Sequence, residues 1–195
     1  MIKLYCLKIE NFVTSTFSDQ MSSKYSEPSS KKRSNFAWFC LEKIVYKHIG
    51  LSLNKDMIEN NKYGKPYIKN NPIYFNISHS SDYVVIGISD SAIGVDIEHL
   101  VPQERADHLI KRFNKACIDA YNNTQNKEEF FTKKWILMEA YNKMMGTGIS
   151  FNLIKDFEST NSITHKLVDS TTKEILYFTA INKNNDIIDN IYFEI

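Results

Sequence analysis

The chain is poor in the residues that mark several protein classes. Its 195 residues include three cysteines, six glycines and four prolines, and 24 Lys and Arg nearly cancel 23 Asp and Glu. Cys6, Cys40 and Cys117 form no C-x-x-C pair, so the sequence predicts neither a zinc site nor a disulfide framework. The near-neutral charge balance argues against general nucleic-acid binding.

Long apolar runs are missing as well. No stretch is long and apolar enough to cross a bilayer, and residues 1–13 lack the continuous apolar segment of a signal peptide. We therefore expect a cytoplasmic protein with no membrane partner. The length allows one domain or two small lobes. The order of predicted elements, which is strand, helix, strands, helices, a long helix and strands, indicates an α+β fold.

The apolar pattern also predicts where these elements lie. The strands between residues 73 and 98 are expected to form an antiparallel meander. Helices are predicted over 31–49, 53–61, 102–113, 116–121 and 128–145, and strands over 2–9, 73–77, 83–89, 92–98, 163–168, 174–181 and 187–195.

The segment Val95-Asp96-Ile97-Glu98 alternates apolar and acidic side chains. On a strand, alternate side chains share a face, so Asp96 and Glu98 are predicted to point the same way. Two neighbouring carboxylates repel each other unless a cation or a proton lies between them, and oxygen ligands of this kind suit Mg²⁺. A half-exposed strand with an acidic outer face gives the same alternation, and these residues alone do not separate the two interpretations.

Two more segments carry candidate site residues. His79 lies between Ser78 and Ser80, and such a group either binds an anion or lies at the surface as an ordinary polar segment. In the last predicted helix, Glu139 and Lys143 are one turn apart and share a side. A simple helix-stabilising ion pair explains the same spacing.

A basic cluster, Lys31-Lys32-Arg33, stands in the first turns of the helix predicted over 31–49. Cations near a helix N-terminus oppose the helix macrodipole, so the cluster favours contact with an anionic ligand. A solvated basic face is the alternative interpretation.

Together and in this order, these segments resemble the motifs of the 4'-phosphopantetheinyl transferase superfamily, most closely those of its Sfp-type branch. The resemblance is specific over residues 64–148 and weaker elsewhere. It implies two similar α/β lobes related by a pseudo-twofold axis, here 1–98 and 99–195, with the active site in the cleft between them. The motifs are Gly64-Lys65-Pro66, Phe75-Asn76-Ile77-Ser78-His79-Ser80, Gly94-Val95-Asp96-Ile97-Glu98 and the segment from Trp135 to Gly148.

The resemblance implies an activity. A serine of an apo acyl or peptidyl carrier protein, of peptide, polyketide or fatty-acid synthesis, would accept the 4'-phosphopantetheine arm of coenzyme A, with release of 3',5'-ADP. The implied metal is Mg²⁺, although Mn²⁺ accepts the same oxygen ligands. A monomer is expected. The implied metal ligands are Asp96, Glu98 and Glu139, the implied catalytic residues are Glu139 and Lys143, and the implied coenzyme A contacts are Lys32, Arg33, Lys65, Pro66, Ser78, His79 and Lys143.

Two departures from the family pattern keep an alternative open. Met138 stands where the family commonly has lysine, which removes an expected phosphate contact. Many members carry a glutamate a few residues after an Arg-Phe pair. At that distance after Arg112-Phe113, this chain has Ile118 and then Asp119. A non-catalytic relative that binds coenzyme A or a carrier protein would share both features. An unrelated Mg²⁺-dependent phosphohydrolase would leave the serine–histidine and Gly-Lys-Pro motifs unexplained.

Overall fold

The structure is a computed structural model, and it describes residues 2–9, 12–148, 162–184, 186 and 188–194. The architecture is mixed α+β, as the sequence predicted. The strands are β1 (Ile2–Lys8), β2 (Ile58–Asn60), β3 (Pro66–Ile68), β4 (Tyr74–Ser80), β5 (Tyr83–Ser89), β6 (Ile93–His99), β7 (Ile163–Val168), β8 (Ile175–Asn182) and β9 (Ile188–Tyr192). The helices are α1 (Thr16–Ser22), α2 (Pro28–Ile49), α3 (Gln103–Leu109), α4 (Lys115–Asn123) and α5 (Lys127–Met145).

Two sheets form the centre of the molecule, with strand orders β4-β5-β1-β9 and β6-β8-β7. β1 is antiparallel to β5 and parallel to β9, and the pairs β4–β5, β6–β8 and β7–β8 are antiparallel. The predicted meander is therefore wrong in its last strand, because β6 leaves the sheet of β4 and β5 and pairs with β8. Within the described ranges, none of the helices has the length and apolar character that a membrane span requires.

The alternation of side chains along the strands explains why the two sheets stack. On β6, Val95 and Ile97 join apolar side chains of β1, β5 and β8 in one buried cluster. The opposite face of the first sheet packs on α2, where Leu41 is fully buried. On the second sheet, Ile181 of β8 packs against Ala140 of α5. The resulting order of layers is helix, sheet, sheet, helix.

One predicted helix is wrong. Residues 53–61 form a single 3-10 turn at Lys55–Met57, capped by the Asn54 side chain, and the chain then enters β2. β3 supplies the backbone partners of β2, and this pairing with a later segment overrides the local helical pattern. α2, α4 and α5 lie close to their predicted bounds.

The close packing of β6 on α5 depends on Gly94. A Cβ at this position would lie 1.8 Å from the carbonyl oxygen of Ala140 and 2.5 Å from the backbone nitrogen of Met144. No side chain fits in that space, so glycine is what allows the strand to approach the helix backbone. This approach brings Asp96 of the strand within reach of Lys143 of the helix, with Nζ 2.5 Å from Oδ1.

Candidate active site

The edge strands β4 and β6 lie side by side although they belong to different sheets. Ser78 Oγ donates a hydrogen bond to Asp96 Oδ1 at 2.7 Å, and Ser80 Oγ donates to Glu98 Oε1 at 3.0 Å. The serines and the acids are each two residues apart, so alternate side chains of the two strands meet in pairs. We call this region the acid joint, and it comprises Ser78, Ser80, Asp96, Glu98, Glu139 and Lys143.

α5 contributes the helical side of the acid joint. Lys143 Nζ lies 2.5 Å from Asp96 Oδ1 and donates to Ser78 Oγ at 2.9 Å. Asp96 is only 4% exposed, so its carboxylate has left water and is paired with an ammonium group. Glu139, one helical turn before Lys143, is half-buried.

The electrostatics of the acid joint disfavour carboxylate charge. Burial raises the pKa of Asp96 above its ordinary value, against the opposing effect of Lys143. Burial, aided by the negative charges of Asp96 and Glu98, raises the pKa of Glu139 to about 7. The positive charges of Lys143 and Arg105 act in the opposite direction on Glu139. A cation placed among these acids would relieve their mutual repulsion.

The donor chemistry of the acid joint fits a hard divalent cation. Asp96, Glu98 and Glu139 offer carboxylate oxygens, which are the protein ligands that Mg²⁺ takes. In the part of the chain that the structure describes, no three His, Cys, Asp or Glu side chains are arranged to hold a metal ion. Lys143 supplies the positive charge beside Asp96 in this arrangement. Coordination by all three acids therefore requires a change of side-chain conformation within the acid joint.

A cavity of about 240 Å³ opens beside the acid joint. Glu139 and Lys143 of α5 line one side of it, and Lys65 and Pro66 of the Gly-Lys-Pro turn line the other. The structure thus brings together four of the residues that the sequence singled out, from segments more than 70 positions apart in the chain.

A larger cleft of about 860 Å³ adjoins this cavity, since Gly64, Pro66 and Ile77 line both. Its basic lining comes from separate segments, and no spacing in the sequence marked the three lysines among these residues. Only their tertiary arrangement makes the cleft suitable for an anionic ligand. The basic side chains that line it are Lys24, Lys55, Lys69 and His79.

His79 is exposed at the larger cleft, yet its ring is crowded by neighbours. Partial burial lowers the pKa of His79, and the positive charges of Arg33 and Lys143 lower it further. Arg33 is half-buried on α2, where Nη2 donates to Ser30 Oγ at 3.2 Å. Lys32 is exposed on the same helix, outside the described lining of both cavities.

Lys65 makes contacts that the sequence did not indicate. Its Nζ donates to the carbonyl oxygens of Ile93 at 2.7 Å and Met144 at 3.2 Å, and burial lowers its pKa to about 8. The Asn61 side chain donates to the carbonyl oxygen of Gly146 at 2.8 Å. These bonds fasten the turn before β3 to the end of α5 and the start of β6. We call Asn61, Lys65 and Gly146 the carbonyl clamp.

Met138 does not face the acid joint. It is fully buried in the apolar cluster of α3, α4 and α5, together with Phe113 and Phe131. One residue along a helix turns a side chain by roughly 100°, so Met138 and its neighbour Glu139 lie on different sides of α5. The prediction that this methionine removes a phosphate contact stays a prediction, and the structure places the methionine itself in an apolar core. Asp119, the other substitution considered, is exposed on α4.

The sequence interpretation missed the joining roles of Asn76 and Ser80. The Asn76 side chain accepts a hydrogen bond from the backbone nitrogen of Val95 at 2.8 Å, which aligns β4 with β6. Ser80 holds Glu98 in the same row of contacts. The signal that would have found them is the matching two-residue period of the polar positions in the two strands.

Comparison with known proteins finds similarity over the part of the chain that holds these elements. The model of the 4'-phosphopantetheinyl transferase superfamily matches residues 92–187, which include β6, α5 and β8. The 4'-phosphopantetheinyl transferase psf-1 of Bacillus pumilus is 33% identical over 116 residues, which is 56% of this chain and 48% of that protein. The corresponding transferase gsp of Aneurinibacillus migulanus is 26% identical over 144 residues, or 71% of this chain and 60% of that protein.

The transferase Sfp of Bacillus subtilis strain 168 is similar in the same way, with 33% identity over 96 residues, 47% of this chain and 42% of Sfp. The chain spans about half the length of the curated relatives that it matches. The family match covers both β6 and α5, the two elements that supply the acids of the joint. Taken with these relatives, it shows that residues 92–187, which hold both elements, are similar to the 4'-phosphopantetheinyl transferase superfamily.

Proposed function

We propose that the protein transfers the 4'-phosphopantetheine arm of coenzyme A to a serine of an apo acyl or peptidyl carrier protein and releases 3',5'-ADP. One observation carries the proposal: the acid joint opens into a cavity that adjoins a cleft lined by lysines. Carboxylates beside a basic groove suit a cation-assisted reaction at a phosphate group. The relatives psf-1 and Sfp are named as 4'-phosphopantetheinyl transferases.

In this proposal the chain forms two similar lobes, 1–98 and 99–195, with coenzyme A bound between them. Support comes from the small cavity, which takes Lys65 from the first part of the chain and Glu139 and Lys143 from the second. We assign the diphosphate to this cavity, against Lys65 and Pro66, and the 3'-phosphate and adenine to the larger cleft. Ser78, His79, Arg33 and Lys32 are the further coenzyme A contacts that we propose.

The reaction forms one phosphorus–oxygen bond and breaks another. The serine hydroxyl of the carrier attacks the β-phosphorus of coenzyme A, and the bridging oxygen leaves with its bonding electrons as part of 3',5'-ADP. Glu139, directly or through a water molecule, accepts the serine proton. Lys143 leaves Asp96 and donates to a phosphate oxygen.

Asp96, Glu98 and Glu139 would hold the Mg²⁺ ion, or Mn²⁺ in its place. The metal, when bound, supplies positive charge against the diphosphate. The protein's own part is to orient the two substrates and to keep water away from the phosphate, which phosphoryl transfer requires. The burial of Asp96 and the half-buried position of Glu139 serve that exclusion of water.

The test is the intact mass of apo carrier proteins of peptide-synthetase and fatty-acid type, incubated with the protein, coenzyme A and Mg²⁺. The expected result is a gain of one phosphopantetheine arm. The gain should be lost with EDTA and absent from a carrier whose acceptor serine is replaced by alanine. Calorimetry with coenzyme A runs in parallel. Binding of coenzyme A without a mass gain on any carrier would overturn the transferase and favour the non-catalytic relative.

A further inference from the structure

Glu98 is a half-buried residue of β6, and one oxygen of its carboxylate is held by two donors. Its Oε1 accepts two hydrogen bonds, one from Ser80 Oγ at 3.0 Å and one from the backbone nitrogen of His99 at 2.9 Å. Two donors on a single oxygen fix both the position of the carboxylate and the direction of its plane. The direction of the second oxygen, Oε2, is thereby fixed, although neither Ser80 nor His99 donates to it.

Asp96 repeats this arrangement one strand period earlier. Its Oδ1 accepts from Ser78 Oγ at 2.7 Å and lies 2.5 Å from Lys143 Nζ. Each acid of the strand thus has one oxygen bound to two protein donors, and one of those donors is a serine hydroxyl from β4. The pairing of Ser78 with Asp96 and of Ser80 with Glu98 is a property of the two strands together, since β4 supplies the serine donors and β6 supplies the acids.

We propose that Ser80 is a positioning residue for metal binding, which it serves by holding Oε1 of Glu98 so that the second carboxylate oxygen is presented as a ligand. The inference rests on the proposed function, because it concerns the cation that the transfer would use. Groups that orient metal ligands in this manner commonly change metal affinity by about 10- to 100-fold when they are removed. Ser80 therefore acts on the metal through Glu98.

The test is a titration of the full-length chain with Mn²⁺, followed by electron paramagnetic resonance of the free ion, with and without coenzyme A. Ser80→Ala should weaken Mn²⁺ binding about tenfold. Ser80→Thr keeps the hydroxyl on a residue that strands favour, and should restore affinity to within about twofold of the wild type. The matched control is Ser170→Ala, which removes an exposed hydroxyl from the β7–β8 turn and should change nothing.

A second measurement separates positioning from a general loss of structure. Coenzyme A affinity in EDTA should be equal in the wild type, Ser80→Ala and Ser80→Thr, because the role assigned to Ser80 needs the metal. Unchanged Mn²⁺ affinity in Ser80→Ala overturns the inference. A loss that Ser80→Thr does not recover overturns it too, and so does an equal loss of coenzyme A affinity in EDTA.

The intact-mass assay on the wild type keeps this result apart from the proposed function. Transfer by the wild type, combined with unchanged Mn²⁺ binding in Ser80→Ala, removes only the role of Ser80. A wild-type chain that binds no Mn²⁺, with or without coenzyme A, overturns the inference together with the metal assignment.

Discussion

Two polar regions meet the last turns of α5, and both contain a lysine. In the carbonyl clamp, Lys65 donates to the backbone carbonyls of Ile93 and Met144. In the acid joint, Lys143 faces the buried carboxylate of Asp96. The last carbonyls of a helix have no partner within the helix, so the clamp satisfies groups that the fold itself leaves open.

The difference lies in how charge is balanced. The clamp joins one ammonium group to neutral acceptors, and its hydrogen bonds stabilise the contact between β6 and α5 whatever the protein binds. The acid joint gathers Asp96, Glu98 and Glu139 around Lys143, and burial there raises the pKa of Asp96 and of Glu139. Groups held in a charge state that the fold disfavours are typical of functional sites. We infer that the clamp serves stability and the joint serves ligands.

Among the variants that test this difference between the clamp and the acid joint, Asp96→Asn is expected to have the largest effect. The variant keeps the size of the side chain and an acceptor for Ser78, but it removes a metal ligand. Loss of metal assistance is worth several kcal/mol, so Mg²⁺-dependent transfer should fall roughly 1,000-fold, which corresponds to about 4 kcal/mol. Intact-mass kinetics on an apo carrier measure the loss.

The stability of Asp96→Asn is the second half of that prediction. Urea unfolding in EDTA should show only a modest change in the free energy of unfolding, because the removal of a buried charge is offset by the loss of the ion-pair partner of Lys143, which is itself partly exposed. Transfer by Asp96→Asn at the wild-type rate would show that Asp96 is not a metal ligand. A large decrease in the free energy of unfolding of Asp96→Asn would mean that the acid joint mainly stabilises the fold.

The two regions also differ in how far the sequence could predict them. Alternation within residues 95–98 predicted that Asp96 and Glu98 share a face, and helical spacing put Glu139 and Lys143 on one side of α5. Periodicity is a local property, so it assigns side chains to faces reliably. Periodicity does not predict which other element packs against that face of the strand or helix. Contact between the serines of β4 and the acids of β6 depends on how two sheets meet.

Because periodicity does not reveal distant contacts, some contacts of the fold could not be predicted from the sequence. β6 follows β5 closely in the chain, which favoured a meander, but its partner β8 begins at residue 175. Lys65 was expected to contact coenzyme A, and nothing in Gly-Lys-Pro predicts the distant carbonyls that it binds in the structure.

Lys65→Met is the next test of the contrast, with a smaller expected effect. The variant keeps an unbranched side chain but leaves the carbonyls of Ile93 and Met144 without their donor. Loss of a partner by buried acceptors costs about 1–3 kcal/mol, so the free energy of unfolding should fall by that amount in EDTA and without coenzyme A. The control is Lys62→Met, since Lys62 is an exposed lysine in the same turn. Unchanged stability of Lys65→Met, together with weaker coenzyme A binding, would make Lys65 a ligand contact only.

Glu139→Gln is expected to have the smallest effect. Its effect on the free energy of unfolding should depend on pH. The pKa of Glu139 is about 7 in the folded chain against an ordinary value of 4.5. Between these values the folded protein holds a proton that the unfolded chain has lost, so this carboxyl makes wild-type stability fall as the pH rises, and its cost is complete above pH 7. Glutamine does not titrate, and the variant escapes that cost.

Unfolding in urea with EDTA at pH 5 and pH 8 measures this difference. Glu139→Gln should exceed the wild type by about 1–2 kcal/mol at pH 8, with a smaller gap at pH 5. The exposed Glu104 on α3 offers the control, and Glu104→Gln should show no such trend. Added Mg²⁺ should then stabilise the wild type more than Glu139→Gln, because only the wild type has the third carboxylate. A gap that stays constant between pH 5 and pH 8 would mean that Glu139 is not strained by its neighbours, and the acid joint would then balance its charges as fully as the clamp.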